Sequence, residues 1–279
     1  MNITNQKVKE LKEIANRIRI NAIEMAMKTK GRGAHLSTSF SCVEIVTSLY
    51  FGIMNYCNTK TADINRDRFI CSKTHAVLAT YPVLHELGLI SAQELLDYRQ
   101  DGSELYGYPR NLDFGLEFEG GSLGMGLSYG VGQALAARIK NLDYRVFVLL
   151  GDGELNEGSV WEGFMAAAHY HLDNITAIID RNRLSLDGDT ENVMALESLE
   201  AKLVSFGWHV LSCNGHDFKE LFAALSQRSD QKPTAIIANT IKGKGVLFME
   251  GQREWHQARL NKDQYENAIS ELRGVENDN

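Results

Sequence analysis

The segment GDGELNEG, at residues 151–158, directly follows the apolar run YRVFVLL at residues 144–150. Such a run is typical of a strand buried inside a parallel sheet. The sequence therefore predicts a carboxylate, Asp152, at a strand end between Gly151 and Gly153. A bare carboxylate at that depth has a large desolvation cost. A divalent cation would compensate its charge, and the two glycines would let the backbone approach an anion bound to that cation.

A second hard oxygen ligand is offered by Asn182, which follows the next apolar run, NITAIID at residues 174–180. In open parallel sheets, ligands gather at the carboxyl ends of the strands, where helix N-termini also point donors at anions. Because Mg²⁺ is usually held by one or two protein ligands and by phosphate oxygens, the two strand ends predict a magnesium ion with a diphosphate. Asp-Gly is also a common turn dipeptide, so GDG alone would be weak support.

The elements that must position these residues alternate along the chain. Two further strand-like runs are WHVLSC at residues 208–213 and TAIIANT at residues 234–240, and residues 156–173 have a helical apolar face between the first two strands. This alternation predicts an α/β fold with a doubly wound, mainly parallel sheet flanked by helices. We expect one domain over residues 1–255, followed by a C-terminal tail helix with a frayed end over residues 256–279.

Composition narrows the classes of partner. The chain has 279 residues, 44% of them hydrophobic, and a net charge of −7, which argues against nucleic acid and anionic membrane surfaces as partners. Residues 1–29 show the spacing of an amphipathic surface helix rather than a secretory signal, and no apolar run reaches membrane-spanning length. The four cysteines, Cys42, Cys57, Cys71 and Cys213, lack metal-binding spacing and are interpreted as reduced thiols of a cytoplasmic protein.

GDG followed about thirty residues later by Asn resembles the thiamine diphosphate motif of the transketolase family. The resemblance implies that thiamine diphosphate binds with Mg²⁺, or with another divalent cation such as Ca²⁺ or Mn²⁺. It assigns the metal ligands to Asp152, Asn182 and the backbone oxygen of Leu184, and it places Gly153 against the diphosphate.

Four more segments resemble family blocks in the same order. GAHLSTSFSCVEI places His35 in the substrate site, and RDRFICSKTHA places His75 beside the diphosphate and the reaction centre. IKGKGVLFMEGQREWHQA places His256 in the active site. EGGSLGMGLSYGVG resembles the loop whose backbone approaches the cofactor, here at Gly121, Ser122 and Leu123.

Other signals in the chain favour simpler interpretations. The segment GMGLSYG lacks the spacing of a dinucleotide-binding loop, and KGKG is not a phosphate-binding loop of the ATPase type because no Ser or Thr follows Lys244. Glu157 and Glu162 are either ordinary acids at a helix N-terminus or, as the resemblance implies, glutamates at a dimer interface. The remaining histidines are interpreted as surface or structural residues: His85, His169, His171, His209 and His216.

Three positions depart from the family pattern. Tyr108 stands where transketolases commonly have a histidine that contacts the donor sugar, and Thr74 and Gln257 replace glycines next to two of the predicted active-site histidines. These departures leave the cofactor assignment intact and put the usual pentose phosphate substrates in doubt.

The resemblance covers the N-terminal, diphosphate-binding half of a transketolase. It implies a partner: a separate C-terminal subunit that carries the pyrimidine-binding domain, in an α2β2 assembly. The implied activity is transfer of a two-carbon ketol unit from a ketose, or ketose phosphate, donor to an aldose acceptor. Two alternatives stay open, a decarboxylating ligase of the deoxyxylulose-phosphate synthase type and a non-catalytic cofactor-binding subunit.

Overall fold

A computed structural model describes residues 3–29, 31–56, 63–110 and 115–277. Within these residues five parallel strands form one sheet in the order β1-β2-β3-β5-β4. The strands are β1 (Arg68–Cys71), β2 (Val146–Gly151), β3 (Ile175–Arg181), β4 (His209–Asn214) and β5 (Thr234–Asn239). The four strand-like runs therefore became strands, as predicted. The short β1 lies inside a segment that the sequence marked only by its family block.

The α-helices connect and flank these strands. They are α1 (Asn5–Lys28), α2 (Leu36–Phe40), α3 (Val43–Ser48), α4 (Val77–Glu86), α5 (Ala92–Leu96), α6 (Gly126–Ile139), α7 (Gly158–His169), α8 (Thr190–Val193), α9 (Leu199–Ser205), α10 (Phe218–Leu225) and α11 (Lys262–Asn277). A π-helical turn spans Leu49–Ile53, and 3₁₀ turns span Thr74–Ala76, Gly153–Asn156 and Arg253–Trp255.

Successive side chains of a strand point to opposite faces of the sheet. Helices cover both faces, so both sets of side chains are buried. In β2, Phe147 and Leu149 pack into a core formed with α1 to α4 and α10. Val146, Val148 and Leu150 pack on the other face, against α6, α7 and α9. The strand order explains this layering. The chain passes from β3 to the edge strand β4 and then returns to β5, which lies between them. Because crossovers are right-handed, this reversal puts α10 on the face opposite to α7 and α9. The predicted doubly wound α/β fold is confirmed.

The two ends of the described chain pack together. Thr4 caps α1 by accepting the N–H of Lys7 at 3.2 Å. The Asn16 side chain donates to the backbone oxygen of Leu272 in α11 at 2.8 Å, and the Tyr265 hydroxyl donates to Glu24 at 2.7 Å. Residues 278–279, where fraying was predicted, lie outside the described residues.

The cysteines and the helix lengths bear on two further predictions. Cys42, Cys71 and Cys213 are free and buried, and Cys57 lies outside the described residues. Among the helices described here, none combines the length and the apolar character needed to cross a bilayer.

Candidate active site

The register of the sheet brings four strand ends to one edge. Cys71 of β1 pairs with Leu149 of β2, so the residues after both strands emerge side by side. At the end of β3, Asp180 pairs with Gly151 of β2, and the next residue pairs with the last residue of β5. The segments after β1, β2, β3 and β5 carry, in that order, His75, Asp152, Asn182 and Lys242. The inference that strand ends converge on one site therefore holds for four strands rather than two.

A cavity of about 410 Å³ opens at this edge. Its lining includes every predicted site residue except Ser122, which is exposed outside it; the predicted residues that it contains are His35, His75, Gly121, Leu123, Asp152, Gly153, Asn182, Leu184 and His256. The backbone at Gly153 is closely packed, because a Cβ atom added to it would lie 3.3 Å from the Cβ atom of Ser185. One concave site thus collects segments that are far apart in the sequence.

Asp152 is almost completely buried and is held by three donors. Oδ1 accepts the N–H of Gly153 at 2.8 Å, and Oδ2 accepts the N–H of Arg183 at 2.6 Å and the Arg181 guanidinium at 3.2 Å. Burial, and then the charge of Asp180, raise the pKa of Asp152 above its usual range despite these donors. Its negative charge is thus incompletely compensated by the protein, which suits a carboxylate that binds a cation.

The loop after β3 adds two more hard oxygen atoms. The Asn182 Oδ1 accepts the N–H of Leu184 at 3.1 Å, and the Leu184 carbonyl oxygen accepts a hydrogen bond from Nζ of Lys242 at 3.2 Å. Arg183, between them, has a φ of +67°, which turns the loop back over Asp152. Among the described residues, no three His, Cys, Asp or Glu side chains form a metal cluster. One carboxylate, one amide and one carbonyl fit a cation whose shell is completed by phosphate oxygens and water.

Three histidines line the cavity together with these oxygen atoms. The ring centroids of His35, His75 and His256 are 5.4 to 5.7 Å apart in all three pairs. His35 reaches His256 because two backbone hydrogen bonds, of 2.8 and 3.1 Å, join Ala34 and Ala258. Burial, and then nearby cationic side chains, lower the pKa of His35 to about 4 and that of His256 to about 3; burial also holds the pKa of His75 well below its usual range. All three imidazoles are therefore neutral at pH 7.

The hydrogen bonds of these rings define what they can do. Nδ1 of His256 lies 3.1 Å from Nζ of Lys242, and because an ammonium group only donates, this nitrogen accepts and the Nε2 of His256 carries the proton. Nδ1 of His35 is buried and has no hydrogen-bond partner. A neutral ring with a free nitrogen can accept or donate one hydrogen bond to a bound ligand.

Sequence reasoning missed three charged residues of the site. Lys242 is buried and lines the cavity, and burial lowers its pKa to about 8. Lys73 forms a buried ion pair with Asp180, to which the Ser41 hydroxyl also donates at 2.6 Å. The third is the carboxylate of Glu154, which accepts the N–H groups of Gly124 and Gly151 at 2.9 and 3.0 Å. Lys242 stands three residues after β5, so the strand-end argument could have found it.

Comparison with known proteins identifies the family. Residues 10–278 match the family model described as transketolase, thiamine diphosphate binding domain. The chain is 42% identical over 265 residues to one of the subunits of the apulose-4-phosphate transketolase of Phocaeicola vulgatus, with 94% of this chain and 93% of that protein covered. The SqwG subunit of the 6-deoxy-6-sulfo-D-fructose transketolase of Clostridium sp. is 36% identical, with 94% and 96% covered.

The chain belongs to the transketolase family. A crystal structure of transketolase from Campylobacter jejuni superposes with a TM-score of 0.88 at 31% identity, covering 98% of this chain and 43% of that one. The chain therefore spans less than half of the long transketolase and nearly all of the two subunits named above. The predicted likeness to the N-terminal, thiamine diphosphate-binding part of a transketolase is confirmed.

The departures from the transketolase pattern lie around the cavity. Tyr108 lines it, with its ring centroid 6.1 Å from that of His35, and the backbone oxygen of Tyr108 accepts the Tyr81 hydroxyl at 3.3 Å. Gln257 lies at the cavity mouth, and Thr74 is fully buried behind it with no partner for its hydroxyl oxygen. Two of the three departures thus face the space that a substrate would occupy.

The two glutamates with open roles lie at and after the start of α7 and do not line the cavity. Glu157 is the N-cap residue of α7, and Glu162 follows five residues later; both are exposed. Their exposure is compatible with both interpretations of these residues.

Proposed function

We propose that this chain holds the diphosphate end of thiamine diphosphate and its divalent cation, and that together with a second subunit it transfers a two-carbon ketol unit from a ketose to an aldehyde acceptor. The observation that carries the proposal is the meeting of opposite chemistries in one cavity. The oxygens of Asp152, Asn182 and Leu184 suit a hard cation, and the ammonium group of Lys242 beside them suits a phosphate anion.

The cation site follows from the carboxylate. In this proposal Asp152, Asn182 and the Leu184 carbonyl bind Mg²⁺, and Ca²⁺ or Mn²⁺ could replace it because both accept oxygen ligands. Gly121, Leu123 and Gly153, which line the cavity, bring backbone close to the diphosphate, and Lys242 neutralises part of its charge.

The histidines act on the reacting end. When bound, thiamine diphosphate supplies a carbon nucleophile that accepts the two-carbon unit and later releases it. His35, His75 and His256 are neutral, so they can donate hydrogen bonds to substrate oxygens without competing with the cofactor for negative charge.

The partner is a separate subunit with the pyrimidine-binding domain. Support comes from the relatives of equal length, whose names describe them as transketolase subunits, and from the long transketolase of which this chain covers less than half. We propose an α2β2 assembly in the cytoplasm, with the exposed Glu157 and Glu162 at the contact between active sites. The substrates in the names of the relatives differ from each other, so the sugar that this chain acts on is left open within the class of ketoses.

Reconstitution tests the proposal. The chain, its partner subunit, thiamine diphosphate and Mg²⁺ are combined and supplied with a ketose phosphate or hydroxypyruvate together with an aldehyde acceptor. Two-carbon transfer that requires both subunits is the expected result. Turnover of pyruvate instead would favour the decarboxylating ligase, and cofactor binding without turnover of any donor would favour a non-catalytic subunit.

His256→Asn separates chemistry from binding in the same assay. We expect at least a hundredfold lower turnover with little change in cofactor affinity, in line with the usual contribution of a positioned proton donor. His169→Asn, at an exposed histidine in the last turn of α7, is the matched control. Equal turnover in both variants would contradict the role of His256.

A further inference from the structure

The segment that delivers Lys242 to the cavity is anchored on both sides of that residue. On one side, the backbone N–H of Ile241 donates to Nε2 of His216 at 2.8 Å. On the other side, Nε of Arg19 donates to the backbone oxygen of Lys244 at 2.8 Å. Ile241 and Lys244 flank Lys242 closely, so the two anchors fix the path of the chain where the lysine side chain leaves it.

Both anchors share one carboxylate. Glu44, in α3, accepts from Nη2 of Arg19 at 2.8 Å and from Nδ1 of His216 at 3.0 Å. It is 8% exposed. Burial raises its pKa, but Arg19 and His216 outweigh that effect and hold the pKa at about 2. Glu44 is therefore ionised at neutral pH and fixes both partners.

The carboxylate also sets the tautomer of His216. Glu44 only accepts hydrogen bonds when ionised, so Nδ1 of His216 must carry the proton that faces it. Nε2 is then the accepting nitrogen, as the N–H of Ile241 requires. Proteins often fix a histidine tautomer in this way, with a carboxylate or a backbone carbonyl that orients one ring nitrogen.

The anchored segment is otherwise closed by its own backbone. The N–H of Gly243 donates to the backbone oxygen of Ser37 at 2.9 Å, and that of Gly251 donates to the backbone oxygen of Lys242 at 2.8 Å. Gly243 has a φ of +80°, and a Cβ atom on it would lie 2.3 Å from the backbone oxygen of Met249. The segment thus has one defined shape, and His216 holds its first residue.

We infer that Glu44 and His216 form a positioning pair that holds Ile241 so that the Lys242 ammonium group lies between Leu184 and His256 in the cavity. His216 touches neither the cavity nor the predicted ligands and acts through Lys242. The effect on phosphate binding rests on the proposed function, whereas the placement of Lys242 does not.

Two substitutions of His216 separate its two hydrogen bonds. In His216→Gln, the longer side chain puts an amide oxygen near the place of Nε2, so the acceptor for Ile241 is kept. In His216→Asn, the amide lies near the place of Nδ1, so the contact with Glu44 is kept and the acceptor for Ile241 is lost. Both variants replace the ring with an amide, and each keeps one of the two hydrogen bonds, so their comparison shows whether it is the bond to Ile241 that places Lys242.

The readouts do not need the cofactor. The ¹⁵N shift of Nδ1 in His256 reports the contact with Lys242, and hydrogen exchange of the Ile241 amide reports its hydrogen bond. We expect both to stay near wild type in His216→Gln. In His216→Asn we expect exchange to be about fivefold faster, the usual net effect of losing one hydrogen bond, and the His256 shift to move. Thermal unfolding is not a suitable readout, because both variants remove part of one side chain and both would lower the stability.

Binding is then measured with inorganic pyrophosphate and Mg²⁺, which probe the half of the site that this chain contains. His216→Asn should bind about fivefold more weakly than His216→Gln, and His169→Asn should bind like wild type. A His256 shift that is unchanged in His216→Asn would overturn the inference, as would equal changes in both variants. If the shift follows the expected pattern and wild type does not bind pyrophosphate, the positioning pair stands and the proposed diphosphate site fails.

Discussion

The backbone N–H of Arg183 donates to Oδ2 of Asp152 at 2.6 Å, so the loop after β3 is tied to the carboxylate at the end of β2. The second oxygen, Oδ1, is oriented by the N–H of Gly153. The carboxylate is therefore held in one orientation by the protein itself. A preorganised ligand loses little conformational entropy when a cation binds.

Asp152→Asn tests this ligand. The amide keeps the size of the side chain and one oxygen, but it loses the charge that the cation requires, so we expect Mg²⁺-dependent pyrophosphate binding to weaken by a factor of ten or more. Isothermal titration calorimetry at fixed Mg²⁺ measures the change. Asp152→Ala is a less suitable variant because it also removes a partner of the buried Arg181.

Asp187→Asn is the matched control, since Asp187 is an exposed carboxylate at the rim of the same cavity. If general attraction of cations explained the binding, both substitutions would weaken it alike. That result would contradict the assignment of Asp152 as a ligand.

Stability should depend on pH through His35. Its pKa is lowered from 6.5 to about 4 in the folded chain, so below pH 6.5 the unfolded chain binds more protons and the free energy of unfolding falls until about pH 4. At about 1.4 kcal/mol per pKa unit, His35 contributes on the order of 3 to 4 kcal/mol to this fall. Urea unfolding at pH 7.5, 6.0 and 5.0 should show a shallower decrease for His35→Gln than for wild type. Equal slopes for His35→Gln and the control His169→Gln would rule out this origin.

The sequence predicted the parts of the site that lie at the ends of long apolar runs. Asp152 and Asn182 follow β2 and β3, and parallel strands in register must end side by side. The short β1 was missed because its four residues, Arg68–Cys71, are too few to show a strand period. His75 was found through its family block rather than through the strand that positions it.

Other features depend on contacts that no local pattern carries. Nothing in the local sequence marks His216, and its role depends on Glu44, which lies 172 positions earlier in the chain. The low pKa of Lys242 results from burial among other charges, and burial of a lysine is not visible in a sequence. Tertiary packing therefore decides which charged residues enter the cavity, while strand register decides where the cavity forms.

Lys242 and Lys244 form a natural pair for the anion prediction. Lys242 is buried in the cavity, whereas Lys244 is about one third exposed and pairs with Glu250 at 3.2 Å. We expect Lys242→Gln to weaken pyrophosphate binding at least tenfold, because a charge-assisted bond contributes about 1.5 to 3 kcal/mol, and Lys244→Gln to change it less than twofold. Calorimetry on both variants at one ionic strength gives the comparison. Similar losses would indicate that the net charge of the segment, rather than the position of Lys242, governs binding.

Glu154→Gln should destabilise the chain without touching the predicted cation ligands. The Glu154 carboxylate accepts three donors, the N–H groups of Gly124 and Gly151 and the hydroxyl of Ser72, and it is 2% exposed. A glutamine must turn its NH₂ group toward one of these donors, which leaves a buried N–H unpaired and costs about 1 to 3 kcal/mol. Urea unfolding at pH 7 measures the loss, with Glu157→Gln as the exposed control three residues away. Gly124 and Gly151 donate to different oxygens of the carboxylate, so the same variant should speed hydrogen exchange at whichever of the two loses its acceptor. Unchanged exchange at both, with unchanged stability, would mean that Glu154 does not hold these backbone groups.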